Sequence, residues 1–253
     1  MSLPGAREAI ALARQSDGAL GGLSAARHWN WKVKHDPVKP IIIVPRNRGR
    51  AVSGALTRRR DVPVDQRKGF VLERHATVID CALTLPFDEA LSVADSALRR
   101  PEVDQGLLLE MAAGLVRGRD RVERVLHLAD GRAANPFESV ARAIAQDVAG
   151  LCVVAQGWVG GNDHSDLVDH RLGIAVECES WLWHGDEDAW RKDVRRYTRM
   201  ALEGWIVVRL LWHDVMYRPD IVREQLIAAV ALGRARRDTF QYAASAGRQA
   251  DRR

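Results

Sequence analysis

Cysteine is scarce in this chain, with three in 253 residues. Cys81, Cys152 and Cys178 are odd in number, widely separated and match no zinc-ligand spacing. That argues against a disulfide framework or a cysteine-built metal centre and leaves reduced, buried thiols as the expectation. Long apolar runs are missing as well. No stretch approaches the roughly 18 apolar residues that mark a spanning helix, and the segment after Met1 lacks the apolar core of a signal peptide. The composition predicts a cytoplasmic protein with no membrane partner. Phenylalanine and tyrosine are few, four and three residues, whereas tryptophan reaches eight. Trp181, Trp183, Trp190, Trp205 and Trp212 crowd together, and their apolar neighbours predict burial for most. Trp181 and Trp183 flank a group of acids, where an aromatic ring can also stack on a base.

An apolar fraction of 47% over this length suits one large or two small domains with real cores. The net charge of +5 is unevenly spread: residues 1–131 hold 21 Lys and Arg against 16 Asp and Glu, while residues 132–253 hold 17 of each. Arg46, Arg48, Arg50, Arg58, Arg59 and Arg60 occur with no acid among them. Such a block neutralises phosphates or is simply a solvated, Arg-rich strand pair.

The N-terminal half reads as mixed. A helix is predicted over about Ala6–Ser16, then a glycine-rich break, then a helical piece from Ser24, its cap, to Trp31. Ile41-Ile42-Ile43-Val44, closed by Pro40 and Pro45, predicts a strand of about four residues, with further extended pieces at Ala51–Thr57 and Phe70–Glu73. Three helices follow, at Ala76–Leu83, Asp88–Leu98 and Asp104–Val116, punctuated by Pro86, Pro101 and Gly118.

Near Asp130-Gly131-Arg132 the character changes. Asn135-Pro136-Phe137-Glu138 opens a helix with Asn as cap, Pro at the first position and Glu at the third, so Glu138 has a capping role available. A strand is expected at Leu151–Gln156. A helix over Asp188–Met200 is expected to face the core with Trp190, Val194, Tyr197 and Ala201, leaving Arg191, Lys192, Arg195, Arg196 and Arg199 outward, where they can hold nucleic-acid backbone. A strand at Trp205–Leu211 and a helix at Ile221–Leu232 close this half, before an Arg-rich tail from Gly233 that is expected to fray.

Between these elements lies the stretch with most chemical content. If His170-Arg171-Leu172-Gly173 is a hairpin turn, Asp169 pairs with Ile174 and Asp166 falls opposite Glu177. Paired side chains on one face sit about 4.5–5.5 Å apart at Cβ, and two carboxylates at that range need a cation between them. Glu179 projects from the same face, and Cys178 leaves its carbonyl near the same point. Oxygen donors of this kind are what Mg²⁺ or Mn²⁺ takes. Acids on a hairpin are more often a solvated face. Ile174-Ala175-Val176, an apolar run typical of a doubly buried strand, argues against solvation here.

The order Glu138, Asp166, Glu177-Cys178-Glu179, His184 and Asp193-Val194-Arg195-Arg196 resembles the PD-(D/E)XK nuclease core, in particular its very-short-patch-repair (Vsr-like) branch, over about residues 135–230. The resemblance implies a restriction-endonuclease-like mixed sheet flanked by helices and a metal-dependent endonuclease acting on DNA. Asp166, Glu177 and the Cys178 carbonyl would bind the metal; Glu179 would orient water or a second ion; His184 would transfer protons; Glu138 and Gln156 would position the site. The departure is at Glu179, where the superfamily has its lysine. Leu85–Arg99 resembles the middle region of AbiEi-type antitoxin-like proteins, whose winged helix is missing or reduced here. That resemblance implies a cognate toxin or a homodimer as partner and keeps a second reading open: a non-catalytic regulator with a degenerate nuclease fold. The resulting expectation is an α/β (α+β overall) chain: an antitoxin-like α+β module over 1–131, a restriction-endonuclease-like domain over 132–236 and a tail over 237–253.

Overall fold

In the computed structural model, residues 5–48, 50–161, 163–179 and 187–250 are described. The chain is mixed α/β and forms two compact units, Met1–Ser139 and Val140–Arg253.

The first unit sets a small sheet beside a helical cluster. Helix α1 (Ala6–Gln15) leads into β1 (Ala19–Leu20), α2 (Gly22–His28), β2 (Ile41–Val44), β3 (Leu56–Arg59), β4 (Arg67–Lys68) and β5 (Val71–Leu72), in the sheet order β3-β2-β1-β5-β4. The β-branched run Ile41–Val44 is wholly buried, as its composition requires of a central strand. Ser24 does not cap α2: it lies inside the helix, and its hydroxyl accepts the Ile41 N–H at 2.9 Å. Four helices follow where three were expected: α3 (Arg74–Thr84), α4 (Phe87–Leu98), α5 (Gln105–Ala113) and α6 (Arg119–Leu128). Gly118, in a left-handed conformation, divides α6 from the turn after α5. Ala90, Val93, Ala94, Leu108, Val122 and Leu126 join these helices in one apolar cluster.

The arginine block of this unit is largely paired within the chain, with Arg48, Arg58 and Arg60 half-buried and Arg46, Arg50 and Arg59 exposed. Asp80 on α3 is 2% exposed and holds Arg58 (3.4 Å), Arg60 (3.1 Å) and the Gly22 N–H (2.8 Å). Arg48 donates to the Ser16 carbonyl, Arg59 to the Arg48 carbonyl, and Arg46 pairs with Asp61. Five of the six block arginines thus have partners within the chain, and the strand pair accounts for them without phosphate.

Helix α7 (Pro136–Gln146) spans the border between the units. Asn135 caps it, accepting the Phe137 and Glu138 N–H groups, and Phe137, Val140, Ala141, Ile144 and Val148 are buried as their spacing predicts.

In the second unit β6 (Val154–Gly160), β7 (Asp163–Asp169), β8 (Ile174–Glu179) and β9 (Ile206–Leu211) line up in chain order. The first three are antiparallel; β9 runs parallel to β8, so the connection must cross over, and helix α8 (Glu187–Leu202) lies within it. Met200 and Tyr197 of α8 pack on Val168, Ala175 and Val207. Gly157 on β6 lies against Val168, where a Cβ would meet the valine Cβ at 2.6 Å. Short α9 (Trp212–Tyr217) and long α10 (Pro219–Ala250) complete the chain. The tail expected to fray from Gly233 is instead a continuation of α10, and Gly233 lets the helix approach the Leu172 backbone, 2.9 Å from where a Cβ would stand. Among the described residues no helix is long and apolar enough to cross a membrane.

Other expectations change in detail. The first strand begins at Val154 rather than Leu151. Cys81 is buried, but Cys152 is exposed and Cys178 partly so. Trp190 and Trp212 are 55% and 43% exposed, not core; Trp181 and Trp183 lie outside the described residues.

Asp80 is the charged residue on which the first unit leans. Asp80→Asn should lower the unfolding free energy by about 1.5–3 kcal/mol, the scale of a hydrogen bond to a charged group, in urea titrations. Asp61→Asn, at an exposed pair, should stay within about 0.5 kcal/mol; equal effects at the two positions would refute the assignment.

Candidate functional site

The turn between β7 and β8 is built by Asp169. Its carboxylate is 1% exposed and accepts the N–H groups of Arg171 and Leu172, both at 3.0 Å, and of Cys152 at 2.8 Å. An aspartate that closes its own turn in this way fixes hairpin register. Gly173 takes the left-handed conformation at the end of the turn. Asp169 then pairs with Ile174, Val168 with Ala175 and Leu167 with Val176, which is the register expected from the sequence.

One further step along that ladder places Asp166 opposite Glu177. The β7–β8 pairing ends at Leu167, while β7 stays paired with β6 beyond it, so Asp166 stands at a fork. Its carboxylate spans the fork: one oxygen accepts the Cys178 N–H at 2.8 Å, the other the Gln156 Nε2 at 3.1 Å. Gln156 adopts a left-handed backbone (φ 50) inside β6, a conformation that costs a non-glycine residue energy and that here accompanies a side chain turned onto the acid.

Glu177 is 6% exposed and is gripped by Arg196 of α8, with Oε1 at 2.5 Å and Oε2 at 3.3 Å. The same guanidinium donates to the His164 carbonyl at 2.8 Å. Glu179 is likewise engaged, accepting the Tyr197 hydroxyl and the Arg209 Nε at 3.1 Å, and the Arg209 guanidinium lies over the Tyr197 ring at 4.6 Å. Two guanidinium groups and a phenol thus cover the sheet's acids.

Burial raises the pKa of both Asp166 and Glu177. For Asp166 the donors Cys178 and Gln156 and the charge of Arg196 offset part of that rise, and Glu179 adds to it; for Glu177, Ser165 and then Arg196 offset part and Asp166 adds to it. Tyr197 is pushed up by burial and by its bond to Glu179, so it stays a donor.

Helix α8 turns a different face inward from the one expected. Trp190 and Val194 are 55% and 44% exposed, and Ala201 is exposed too. Asp193, Arg196 and Tyr197 are the half-buried positions and Met200 the buried one. The apolar stripe lost the competition because the sheet below carries buried carboxylates, and cations cover those better than methyl groups do. Arg196 is therefore drawn to the acids and away from solvent, whereas Arg191, Lys192 and Arg195 remain exposed.

Of the other residues singled out from the sequence, Glu138 lies in the first unit. Its carboxylate accepts the Ala134 N–H at 2.8 Å and the Asn135 Nδ2 at 2.6 Å, completing the helix cap. His184 falls outside the described residues. Among the described residues no group of three His, Cys, Asp or Glu side chains is arranged to hold an ion. Asp166, Glu177 and a main-chain carbonyl do match the one or two carboxylates that Mg²⁺ takes from a protein while keeping several waters. Sequence reading missed Tyr197 and Arg209 as parts of the site; the alternation of β9, which pairs Arg209 with Glu177, is the signal that could have found the second.

Comparison with known proteins finds uncharacterised relatives. No family model matches the chain, and no solved structure matches it. Two uncharacterised proteins from two strains of Mycobacterium tuberculosis are each 29% identical over 194 residues, covering 68% of this chain and 69% of theirs.

The raised carboxyls fix a pH dependence. The folded chain holds these protons more tightly than the unfolded chain, so stability is lost as pH rises from the ordinary values, 3.8 for Asp166 and 4.5 for Glu177, through the higher folded ones. Asp166→Asn removes that loss at its position. Relative to the parent, its urea midpoint should be higher at about pH 7 than at about pH 4; a difference that does not change with pH would contradict the assignment.

Proposed function

We propose that the second unit is a metal-dependent endonuclease, hydrolysing phosphodiester bonds in DNA, of the Vsr-like PD-(D/E)XK kind. One observation carries the reading: continuing the β7–β8 register by one step sets a half-buried carboxylate, Asp166, opposite a buried one, Glu177, where the ladder opens. Their setting supports it. A helix, a strand, an acid-bearing hairpin, a basic helix and a parallel strand follow one another in the order the resemblance requires.

In this reading Asp166, Glu177 and the Cys178 carbonyl hold Mg²⁺ or Mn²⁺. When bound, such an ion polarises the phosphate and makes water acidic enough to supply hydroxide. The chain's own groups do the rest. Gln156 and the Cys178 N–H fix the Asp166 carboxylate, so Gln156 acts on the acid rather than on the nucleic acid. Glu179, tied to Tyr197 and Arg209, orients water or a second ion and holds those two donors beside the fork. Arg191, Lys192 and Arg195, on the outer face of α8, hold the DNA backbone through phosphate contacts. His184 keeps its place as the proton carrier, a side chain that titrates near neutral pH.

A second reading has its own supporting observation. Glu177 and Glu179 both have partners in Arg196, Tyr197 and Arg209, as expected of a degenerate nuclease fold kept as a non-catalytic regulator of a toxin–antitoxin pair.

Cleavage of supercoiled plasmid in Mg²⁺ or Mn²⁺ separates the two. The parent chain should nick or linearise it, while Asp166→Asn and Glu177→Gln should each lose at least about 100-fold, the upper end of what disturbing even an outer partner of a metal ligand costs. Equal rates in all three would assign the activity elsewhere, and no cleavage by any would favour the regulator. In DNA-binding titrations Lys192→Ala and Arg195→Ala should each weaken binding uniformly across sequences and lower the salt slope by about one; unchanged slopes would remove α8 from the interface.

A further inference from the structure

Arg196 stands where a cation is needed. Its guanidinium binds both oxygens of Glu177, at 2.5 and 3.3 Å, and its charge reaches Asp166 across the fork. A third bond, to the His164 carbonyl at 2.8 Å on β7, anchors it. Its side chain is 22% exposed and Glu177's 7%, so water screens the pair poorly. It comes from a helix outside the hairpin, so it can withdraw without breaking the β7–β8 register. Among the described residues Arg196 is the only cation paired with Glu177, and none is bonded to Asp166.

We infer that Arg196 is the resident counter-ion of the Asp166–Glu177 pair and that a divalent ion binds there only by displacing it, so Arg196 sets the metal affinity of the site and closes it when metal is low. This rests on the proposed metal site. Two consequences follow from charge alone. With Arg196 in place the ion must win Glu177 from a bidentate partner; with Arg196 neutralised, two neighbouring carboxylates repel each other and take up the ion more strongly. Arg196 is a positioning residue for the ion, carried by α8 to Glu177.

The test is Mn²⁺ binding to the full chain by isothermal titration calorimetry, with thermal unfolding at rising Mn²⁺ alongside. Arg196→Gln should bind Mn²⁺ at least tenfold more tightly than the parent, with Arg196→Lys between them. Since losing the counter-ion destabilises the free chain, Arg196→Gln should melt lower without metal and gain more from Mn²⁺ than the parent does; that gain stays measurable in a weakened fold. A role in packing alone predicts the opposite, equal or weaker binding. If Asp166→Asn loses Mn²⁺ binding but Arg196→Gln binds no better than the parent, the counter-ion proposal fails and the metal site stands. If no variant, the parent included, takes up Mn²⁺ at millimolar concentration, both fail.

Discussion

The second unit is organised around the need to keep carboxylates charged inside a sheet. Ile174, Ala175 and Val176 are fully buried, and Glu177 follows them on the same strand with only 6% of its surface exposed. A carboxylate in that position is costly unless hydrogen-bonded and paired. The chain meets this locally for Asp166, through a main-chain N–H and the amide of Gln156, and remotely for Glu177, through an arginine carried in by a crossover helix. The placement of α8 and the distorted backbone at Gln156 both belong to this solution.

That solution explains why α8 confounds simple reading of amphipathicity. Helical spacing selects Trp190, Val194, Tyr197 and Ala201 as a core stripe, yet of these only Tyr197 turns inward, beside Asp193, Arg196 and Met200. A hydrophobic pattern assumes an apolar floor, whereas this floor is apolar at Val168, Ala175 and Val207 and acidic at Asp166 and Glu177. Met200 meets the first part and Arg196 the second. The hairpin itself was legible because strand alternation and turn chemistry are local: Asp169 and Gly173 suffice to set the register that aligns Asp166 with Glu177. The cap at Asn135 was legible for the same reason. What the sequence did not disclose is which cation would travel to which acid, since that depends on contacts between residues far apart in the chain.

The arginine block of the first unit makes the same point from the opposite side. Six arginines without an intervening acid read as a phosphate-binding surface, but Arg58 and Arg60 converge on Asp80, an acid twenty or more residues away. Basic composition in a segment describes its potential partners only after the long-range acids have been subtracted. By that measure the exposed Lys192 and Arg195 of α8 carry more weight than the denser block near the N-terminus.

Asp80 and Glu177 are both buried acids held by arginine, and we propose a site only at the second. The difference lies in the local charge balance. At Asp80 one carboxylate faces two guanidinium groups and a main-chain N–H, so no demand for a further cation is left. At the fork three carboxylates, Asp166, Glu177 and Glu179, share two guanidinium groups, Arg196 and Arg209, and each of Asp166 and Glu177 is raised by a neighbouring acid as well as by burial. An acid excess sustained inside a fold costs stability, and a divalent ion exchanged for Arg196 would relieve it without breaking the β7–β8 ladder. A structural ion pair is complete as it stands; the proposed site at the fork would instead trade its arginine for an ion of higher charge.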